Sequence, residues 1–232
     1  MGNFAHDLPL SLRSVGNEAG VNSRWSGHLA ATVSTVADLL AALTPEQWAT
    51  QSLCAGWRVR DVAGHLVWRL GNSTPQLLTS AGRAYFGHHL RPARAIDAVS
   101  RAAAEAPPTQ LVARLREIAA AEAAGHGRTG IAELSEAVVH GLDLAHPLGL
   151  RLSIHPVAAG AVALRRSLIA PTEIKAVLRT VRLVAADAEW SVGHGRKLPG
   201  TAEDILLFLF GRGPLPVDKP AESFQPDPEP GE

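Results

Sequence analysis

Apolar residues recur at steps of three and four along most of the first 150 residues, the spacing that places them on one face of an α-helix. Such stripes cover residues 26–43, 58–71, 91–106, 109–124 and 131–146. Proline and glycine separate the stripes, and alanine, the strongest helix former, is abundant within them. Because a helix with one apolar face must bury that face against a neighbour, the pattern predicts a mainly α fold of packed helices.

The character of the chain changes beyond this helical part, which we predict to be one domain over residues 23–150. Residues 181–186 have the composition of a β-strand and follow two short helical stretches, so a smaller α+β domain is predicted over residues 151–213. Residues 1–22 show no helical stripe and are interpreted as an irregular arm. Residues 214–232 are rich in proline and acidic residues, which predicts a disordered tail because they offer little apolar surface to bury.

Charge and cysteine content exclude several classes of function. The 22 basic and 22 acidic residues balance, and no basic stripe is present, so a nucleic-acid partner is not expected. No apolar run is long enough to span a membrane, and the first residues lack the order of a secretory signal, so we expect a cytoplasmic protein. Cys54 is the one cysteine, which rules out an intramolecular disulfide and a multi-cysteine zinc site. Frequent alanine and arginine indicate a GC-rich genome, such as that of an actinobacterium.

Two predicted helices carry residues that could hold a metal ion. Asp61 and His65 are four residues apart, as are Glu136 and His140, and Asp143 follows three residues later. The four-residue spacing puts a carboxylate and an imidazole on one helix face, and an imidazole from a second helix completes a two-histidine, one-carboxylate set. Such a set suits catalytic zinc and also non-haem iron, so the ligand types leave the metal open. Asp61 and Asp143 are candidates to accept the second N–H of the histidines.

Residues 54–66 read CAGWRVRDVAGHL, and residues 136–143 read EAVVHGLD. These two segments resemble the segment GW-x-V-x-D-V-x-x-H-L and the second signature of the mycothiol-dependent maleylpyruvate isomerase family, which belongs to the DinB-like superfamily. Residues 182–187, RLVAAD, and residues 209–212, LFGR, resemble its C-terminal domain. The order and spacing of the three parts agree over roughly residues 25–213.

The resemblance implies a DinB-like four-helix bundle followed by a small α+β domain. It implies that His65, Glu136 and His140 bind a divalent metal, usually zinc, and that mycothiol, a low-molecular-weight thiol, is the cofactor. An arginine of the isomerase's C-terminal domain corresponds best to Arg212, which would bind a substrate carboxylate. Arg212 could instead serve only as a cap at the end of a helix.

The implied chemistry is attack by a metal-bound thiol on a small electrophilic substrate. A thiol bound to zinc is deprotonated and therefore nucleophilic at neutral pH. The outcome would be cis–trans isomerisation or S-transfer, and the sequence does not separate the two. A hydrolase in which the metal activates water and a non-catalytic binding protein on the same fold remain alternatives. Cys54 is interpreted as a small packed residue, and the protein as a monomer or homodimer.

Overall fold

A computed structural model describes residues 15–87 and 91–216 and is mainly helical in these residues. The helices are α1 Val15–Ala41, α2 Pro45–Ala49, α3 Val59–Gly71, α4 Thr74–Gly87, α5 Pro92–Ala104, α6 Pro108–Ala123, α7 Ile131–Ala145, α8 Pro156–Ile169, α9 Thr172–Thr180 and α10 Ala202–Leu209. The strands are β1 Val181–Ala185, β2 Ser191–Gly193 and β3 Arg196–Gly200. The predicted fold class, mainly α with a small sheet near the C-terminus, is therefore confirmed. In the described ranges, no helix is sufficiently long and apolar to cross a membrane.

Local sequence signals set several helix starts. The Thr44 side chain accepts from the Gln47 backbone N–H while the Gln47 side chain accepts from the Thr44 N–H, a reciprocal cap that starts α2. Proline stands in the first turn of α2, α5 and α6, where its missing N–H leaves no hydrogen bond unmade. At α3, the Asp61 carboxylate accepts from the Arg58 backbone N–H at 2.9 Å. These caps place the first turn of each helix where the sequence predicts it.

Four helices form the bundle that carries the core. α1 packs against α6 and α7, and α3 packs against the same two helices, so the four close on one another. α5 lies along α3, and α4 packs on α5. The largest buried side chains of the four helices are all leucines, namely Leu29, Leu40, Leu66, Leu111, Leu115, Leu134, Leu142 and Leu144. A fully buried leucine stabilises a fold by about 1.5–3 kcal/mol relative to an exposed one, so these leucines make a large contribution to the stability of the bundle.

Two glycines beside the histidines of the predicted metal set leave no room for a side chain. A Cβ at Gly64 would lie 2.6 Å from the Ala104 nitrogen and 2.6 Å from the Ser100 oxygen, both backbone atoms of α5. A Cβ at Gly141 would lie 2.6 Å from Leu152 Cδ2. Real Cβ atoms essentially never approach another heavy atom this closely. The absent side chains therefore let α3 lie directly against α5 and α7 accommodate Leu152.

The structure lengthens two helices relative to the sequence-based expectation. α1 begins at Val15, so residues 15–22 of the predicted arm are helical. No proline interrupts residues 15–26, and a helix can continue along its own hydrogen bonds without an apolar stripe. α4 runs for 14 residues where only a short helical stretch was expected, and it has no buried residue. The arm before residue 15 and the tail beyond residue 216 lie outside the described residues.

The chain divides into two compact units, Met1–Arg165 and Arg166–Glu232, so the division falls inside α8. The sequence-based boundary at residue 150 lies earlier. In the second unit the sheet order is β2-β1-β3, with β2 antiparallel and β3 parallel to β1. β1 lies within residues 181–186, where a strand was predicted, whereas β2 and β3 were not assigned from the sequence. β3 contains Pro199, which is tolerated because β3 lies at the edge of the sheet.

Candidate metal centre

The structure brings the three predicted metal ligands together on α3 and α7, which lie side by side in the bundle. His65 Nε2 lies 3.4 Å from Glu136 Oε2, and His140 Nε2 lies 3.4 Å from the same oxygen. The ligand atoms of the three residues lie within 4.8 Å of one another. His65 and His140 are mostly buried, and the Glu136 side chain is 31% exposed.

These distances fit a divalent ion. Bonds of about 2.1 Å from zinc to nitrogen or oxygen give a tetrahedron whose ligand atoms are about 3.4 Å apart. The separations of Glu136 Oε2 from the two Nε2 atoms match this edge length. Three protein ligands leave the fourth position of a tetrahedral ion open, as catalytic zinc sites require.

The second nitrogen of His140 fixes its tautomer. His140 Nδ1 lies 2.9 Å from Asp143 Oδ2, and Asp143 is fully buried. An ionised carboxylate has no proton to give, so the Nδ1–H donates to Asp143. When the ring is neutral, as a histidine that binds a metal must be, its lone pair is on Nε2, which faces Glu136. Asp143 thus takes the supporting position that the sequence analysis assigns to it.

His65 reaches the same tautomer through a different partner. Its Nδ1 lies 3.0 Å from Ser100 Oγ, and that hydroxyl donates to the Ile96 carbonyl at 2.7 Å. The single hydroxyl proton is committed to Ile96, so Ser100 accepts the His65 Nδ1–H. The lone pair of His65 is again on Nε2. Ser100 was missed in the sequence because it lies on an alanine-rich helix 35 residues away.

The structure places Asp61, the other predicted supporting residue, elsewhere. Its carboxylate accepts from the Arg58 backbone N–H and from the Arg58 guanidinium, and it pairs with Arg101 at 3.6 Å. Asp61 therefore caps the start of α3. Its part in the site is to fix the helix on which His65 lies, one turn away.

Two imidazole lone pairs and a carboxylate converge, which is stable only with a cation or a proton between them. Burial alone would raise the pKa of Glu136, but hydrogen bonds with His140 and His65 hold that pKa well below its usual range. Burial alone would lower the pKa of His140, yet Asp143, Cys54 and Glu136 together raise it well above the usual value. Burial lowers the pKa of His65. In the absence of an ion, these shifts correspond to a proton held between His140 and the carboxylates of Glu136 and Asp143.

Cys54 also lies at the site, which the sequence analysis did not foresee. Its Sγ donates to Asp143 Oδ2 at 3.0 Å and lies 3.7 Å from His140 Nδ1. Cys54, His140 and Asp143 form a second group of potential metal ligands. In that group Oδ2 lies at hydrogen-bonding distance from both partners, so these atoms bond to each other without an ion. The sequence feature that could have placed Cys54 at the site is its position, because Cys54 begins the family-like segment that also contains His65.

Aromatic side chains and an arginine surround the three ligands. The rings of Trp57 and Trp68 lie 5.2 and 5.8 Å from the His65 ring. The Trp57 indole donates to Asp97 Oδ1 at 2.7 Å, and the Trp68 indole donates to a serine of α4 at 3.0 Å. Arg69 Nε lies 3.8 Å from Glu136 Oε1. The site therefore has apolar walls and one nearby cation.

Arg212 belongs to the second unit and follows the end of α10. Gly211 has φ 71°, its N–H donates to the Phe208 carbonyl, and the Arg212 N–H donates to the Leu207 carbonyl at 2.7 Å. This is the Schellman arrangement that ends many helices, and it needs glycine because L side chains rarely adopt that φ. The backbone of Gly211 and Arg212 thus has a structural role, and a role for the Arg212 side chain in catalysis stays a prediction.

Comparison with known proteins gives one result for the first unit. A family model described as the mycothiol maleylpyruvate isomerase N-terminal domain matches residues 29–145. The matched range is half of the chain, begins within α1, ends with α7 and contains the three converging ligands. No curated protein and no solved structure matches.

Proposed function

Because this chain belongs to the mycothiol maleylpyruvate isomerase family, we propose that it is a metalloenzyme that activates a low-molecular-weight thiol for attack on a small electrophilic substrate. The observation that carries the proposal is the convergence of His65 Nε2, His140 Nε2 and Glu136 Oε2 with their lone pairs facing one point. We propose zinc as the ion and mycothiol as the thiol. An ion held there supplies a deprotonated thiol nucleophile at neutral pH.

The residues around the ligands have distinct tasks in this proposal. Ser100 and Asp143 hold the two imidazoles in the tautomer that keeps Nε2 free for the ion. Such supporting hydrogen bonds also keep each ring in a fixed orientation. Trp57 and Trp68 pack beside His65 and limit the access of water to the nucleophile. The proposed role of Arg212 is to bind a substrate carboxylate.

Two outcomes follow from attack of the thiolate on an activated double bond. As the sulfur bonds to one alkene carbon, the π electron pair moves onto the activating carbonyl group and leaves a carbon–carbon single bond that can rotate. Return of that pair re-forms the double bond and expels the thiolate, which completes a cis–trans isomerisation. If the anionic adduct instead takes a proton at carbon and is released, the reaction is an S-transfer. We propose a thiol-dependent isomerase or transferase, because both need the same metal set and the same nucleophile.

The metal set is tested by elemental analysis of purified variants. We expect His65→Ala and His140→Ala each to lose bound zinc, because each removes one of three protein ligands. His126→Ala is the matched control, since His126 is exposed and lies on the loop before α7. Full zinc content in both site variants would show that the ion, if bound, is held elsewhere.

The thiol is tested by turnover of an electrophile panel with mycothiol and metal added separately and together. We expect turnover only when both are present. Cys54→Ser should retain this activity, since serine keeps a donor to Asp143 and the nucleophilic sulfur comes from the cofactor. Full turnover with metal and no thiol would mean that water is the nucleophile, and the hydrolase alternative would replace the proposal.

A further inference from the structure

We propose that Arg69 binds a carboxylate of the substrate beside the metal set, separate from any carboxylate that Arg212 binds, an inference that rests on the proposed function. Arg69 follows His65 by four residues on α3, so the two side chains share one helix face. Its Nε lies 3.8 Å from Glu136 Oε1, on the carboxylate whose other oxygen faces the two histidines. Its side chain is 20% exposed, which leaves it accessible to a small molecule.

The two carboxylates nearest Arg69, those of Glu133 and Glu136, can each have their negative charge balanced by another cation. Glu133 is 3.4 Å from Arg69 Nη1 but makes its close ion pair with Arg128, which also donates to the Arg69 carbonyl at 3.3 Å. Glu136 is the anionic ligand of the proposed ion. Once the ion is bound, both carboxylates have another cation, and Arg69 is left with uncompensated positive charge.

A count of charges around the ligands leads to the same conclusion. Three carboxylates, Glu133, Glu136 and Asp143, lie among these contacts together with two guanidinium groups, Arg69 and Arg128. With Glu122, a buried neighbour of Glu133 and Arg128 whose pKa is raised by burial, in its neutral form, a divalent ion would change this excess of one negative charge into an excess of one positive charge. A site with that balance attracts an anion, and in a partly buried site the attraction is screened little by salt.

The geometry of Arg69 leaves its guanidinium available. Charge-assisted hydrogen bonds are strongest at about 2.7–2.9 Å, so contacts at 3.4 and 3.8 Å hold it loosely. No hydrogen bond or ion pair within residues 15–87 and 91–216 involves its Nη2. The planar fork of arginine matches a carboxylate with two parallel hydrogen bonds. Arg69 thus offers a carboxylate anchor near the aromatic walls of Trp57 and Trp68.

The test uses binding of benzoate and of its neutral isostere benzamide to the zinc-loaded protein, measured by calorimetry. We expect wild-type protein to bind benzoate more tightly than benzamide. Arg69→Gln should weaken benzoate binding about 10- to 100-fold, the range for a lost hydrogen bond to a charged group, and leave benzamide binding unchanged. Arg69→Lys keeps the positive charge without the planar guanidinium and should weaken benzoate binding less than Arg69→Gln does. The lysine variant replaces the glutamine variant in the test if Arg69→Gln does not fold.

Arg116→Gln is the matched control, because Arg116 pairs with Asp38 on the exposed surface of α1 and α6. It should leave both affinities unchanged. Equal benzoate affinity in wild type and both Arg69 variants would overturn the proposal. Loss of zinc from these variants, with equally weakened binding of benzoate and benzamide, would also overturn the proposal. In that case Arg69 would only position Glu136. The result is independent of turnover, so a missing thiol dependence would refute the proposed function while benzoate selectivity still supported the anchor.

Discussion

Replacement of Gly64 by alanine is expected to separate two helices and disturb the metal set at once. The new Cβ would lie 2.6 Å from the Ala104 nitrogen and the Ser100 oxygen, and 2.8 Å from Ala104 Cα. All three are backbone atoms, so no side-chain rotation relieves the clash. Ordinary contact begins near 3.4 Å. Contact distances at Gly64 must therefore lengthen by about 0.6–0.8 Å, a change that close-packed interiors resist.

The expected loss of stability follows from two opposing effects. Overpacking of this kind costs about 1–3 kcal/mol, while alanine gains up to about 1 kcal/mol over glycine in helix propensity. We expect a net fall of up to about 2 kcal/mol in the free energy of unfolding, the difference between these effects. The same shift stretches the 3.0 Å bond from His65 Nδ1 to Ser100 Oγ, which orients the imidazole. Loss of a supporting bond lowers metal affinity about 10- to 100-fold.

Urea unfolding and competition with a zinc chelator measure the two effects. Gly82→Ala, on α4, is the matched control because a Cβ there meets no atom within 4 Å. That variant should be as stable as wild type or more stable, with unchanged zinc affinity. If Gly64→Ala behaves like Gly82→Ala in both assays, the close approach of α3 and α5 does not position His65.

Three further substitutions test the two residues that support the histidines and a buried glutamate of α6. Asp143→Asn should lower zinc affinity about 10- to 100-fold in chelator competition, since the buried acceptor for His140 Nδ1 loses its charge; unchanged affinity would argue against this support. Ser100→Ala should lower the free energy of unfolding by about 1–3 kcal/mol, because the buried His65 N–H loses its acceptor; a neutral effect in urea would mean that another acceptor replaces it. Glu122 is buried, its Oε2 has no hydrogen-bond partner within the part of the chain that the structure describes, and burial raises its pKa. The folded state therefore binds this proton more tightly than the unfolded state, so wild-type stability falls as pH rises from the usual glutamate pKa through the raised one. Glu122→Gln should flatten that fall in urea midpoints, and an identical slope in the variant would contradict the reasoning.

The parts of the site that sequence predicts are those that depend on neighbours along one helix. Glu136 and His140 share a face of α7 because they are four residues apart, and Asp143 reaches His140 because it lies one turn further. Thr44 starts α2 for the same local reason. His65 required more than spacing, and its family motif supplied the link between α3 and α7.

Contacts between distant segments were not predictable in this way. Ser100 shows no periodic or compositional sign that it accepts from His65, because only the packing of α5 on α3 brings them together. Cys54 reaches Asp143 because the Leu53 N–H donates to the Asp143 carbonyl at 2.9 Å and ties the loop to α7. β3 pairs in parallel with β1, and such pairing leaves little mark on five residues of sequence.

The site divides into a rigid part and a part that belongs to a loop. His65, Glu136 and His140, the proposed metal ligands, lie on α3 and α7, where the bundle core fixes the backbone. Trp57 and Cys54 instead come from the loop of residues 50–58, which is held by the Gln51 amide on three loop carbonyls, by Leu53 on α7 and by Trp57 on Asp97. Loops tolerate substitution better than packed helices do. Changes in residues 50–58 can therefore reshape the wall beside the proposed metal site while the positions of His65, Glu136 and His140 stay the same.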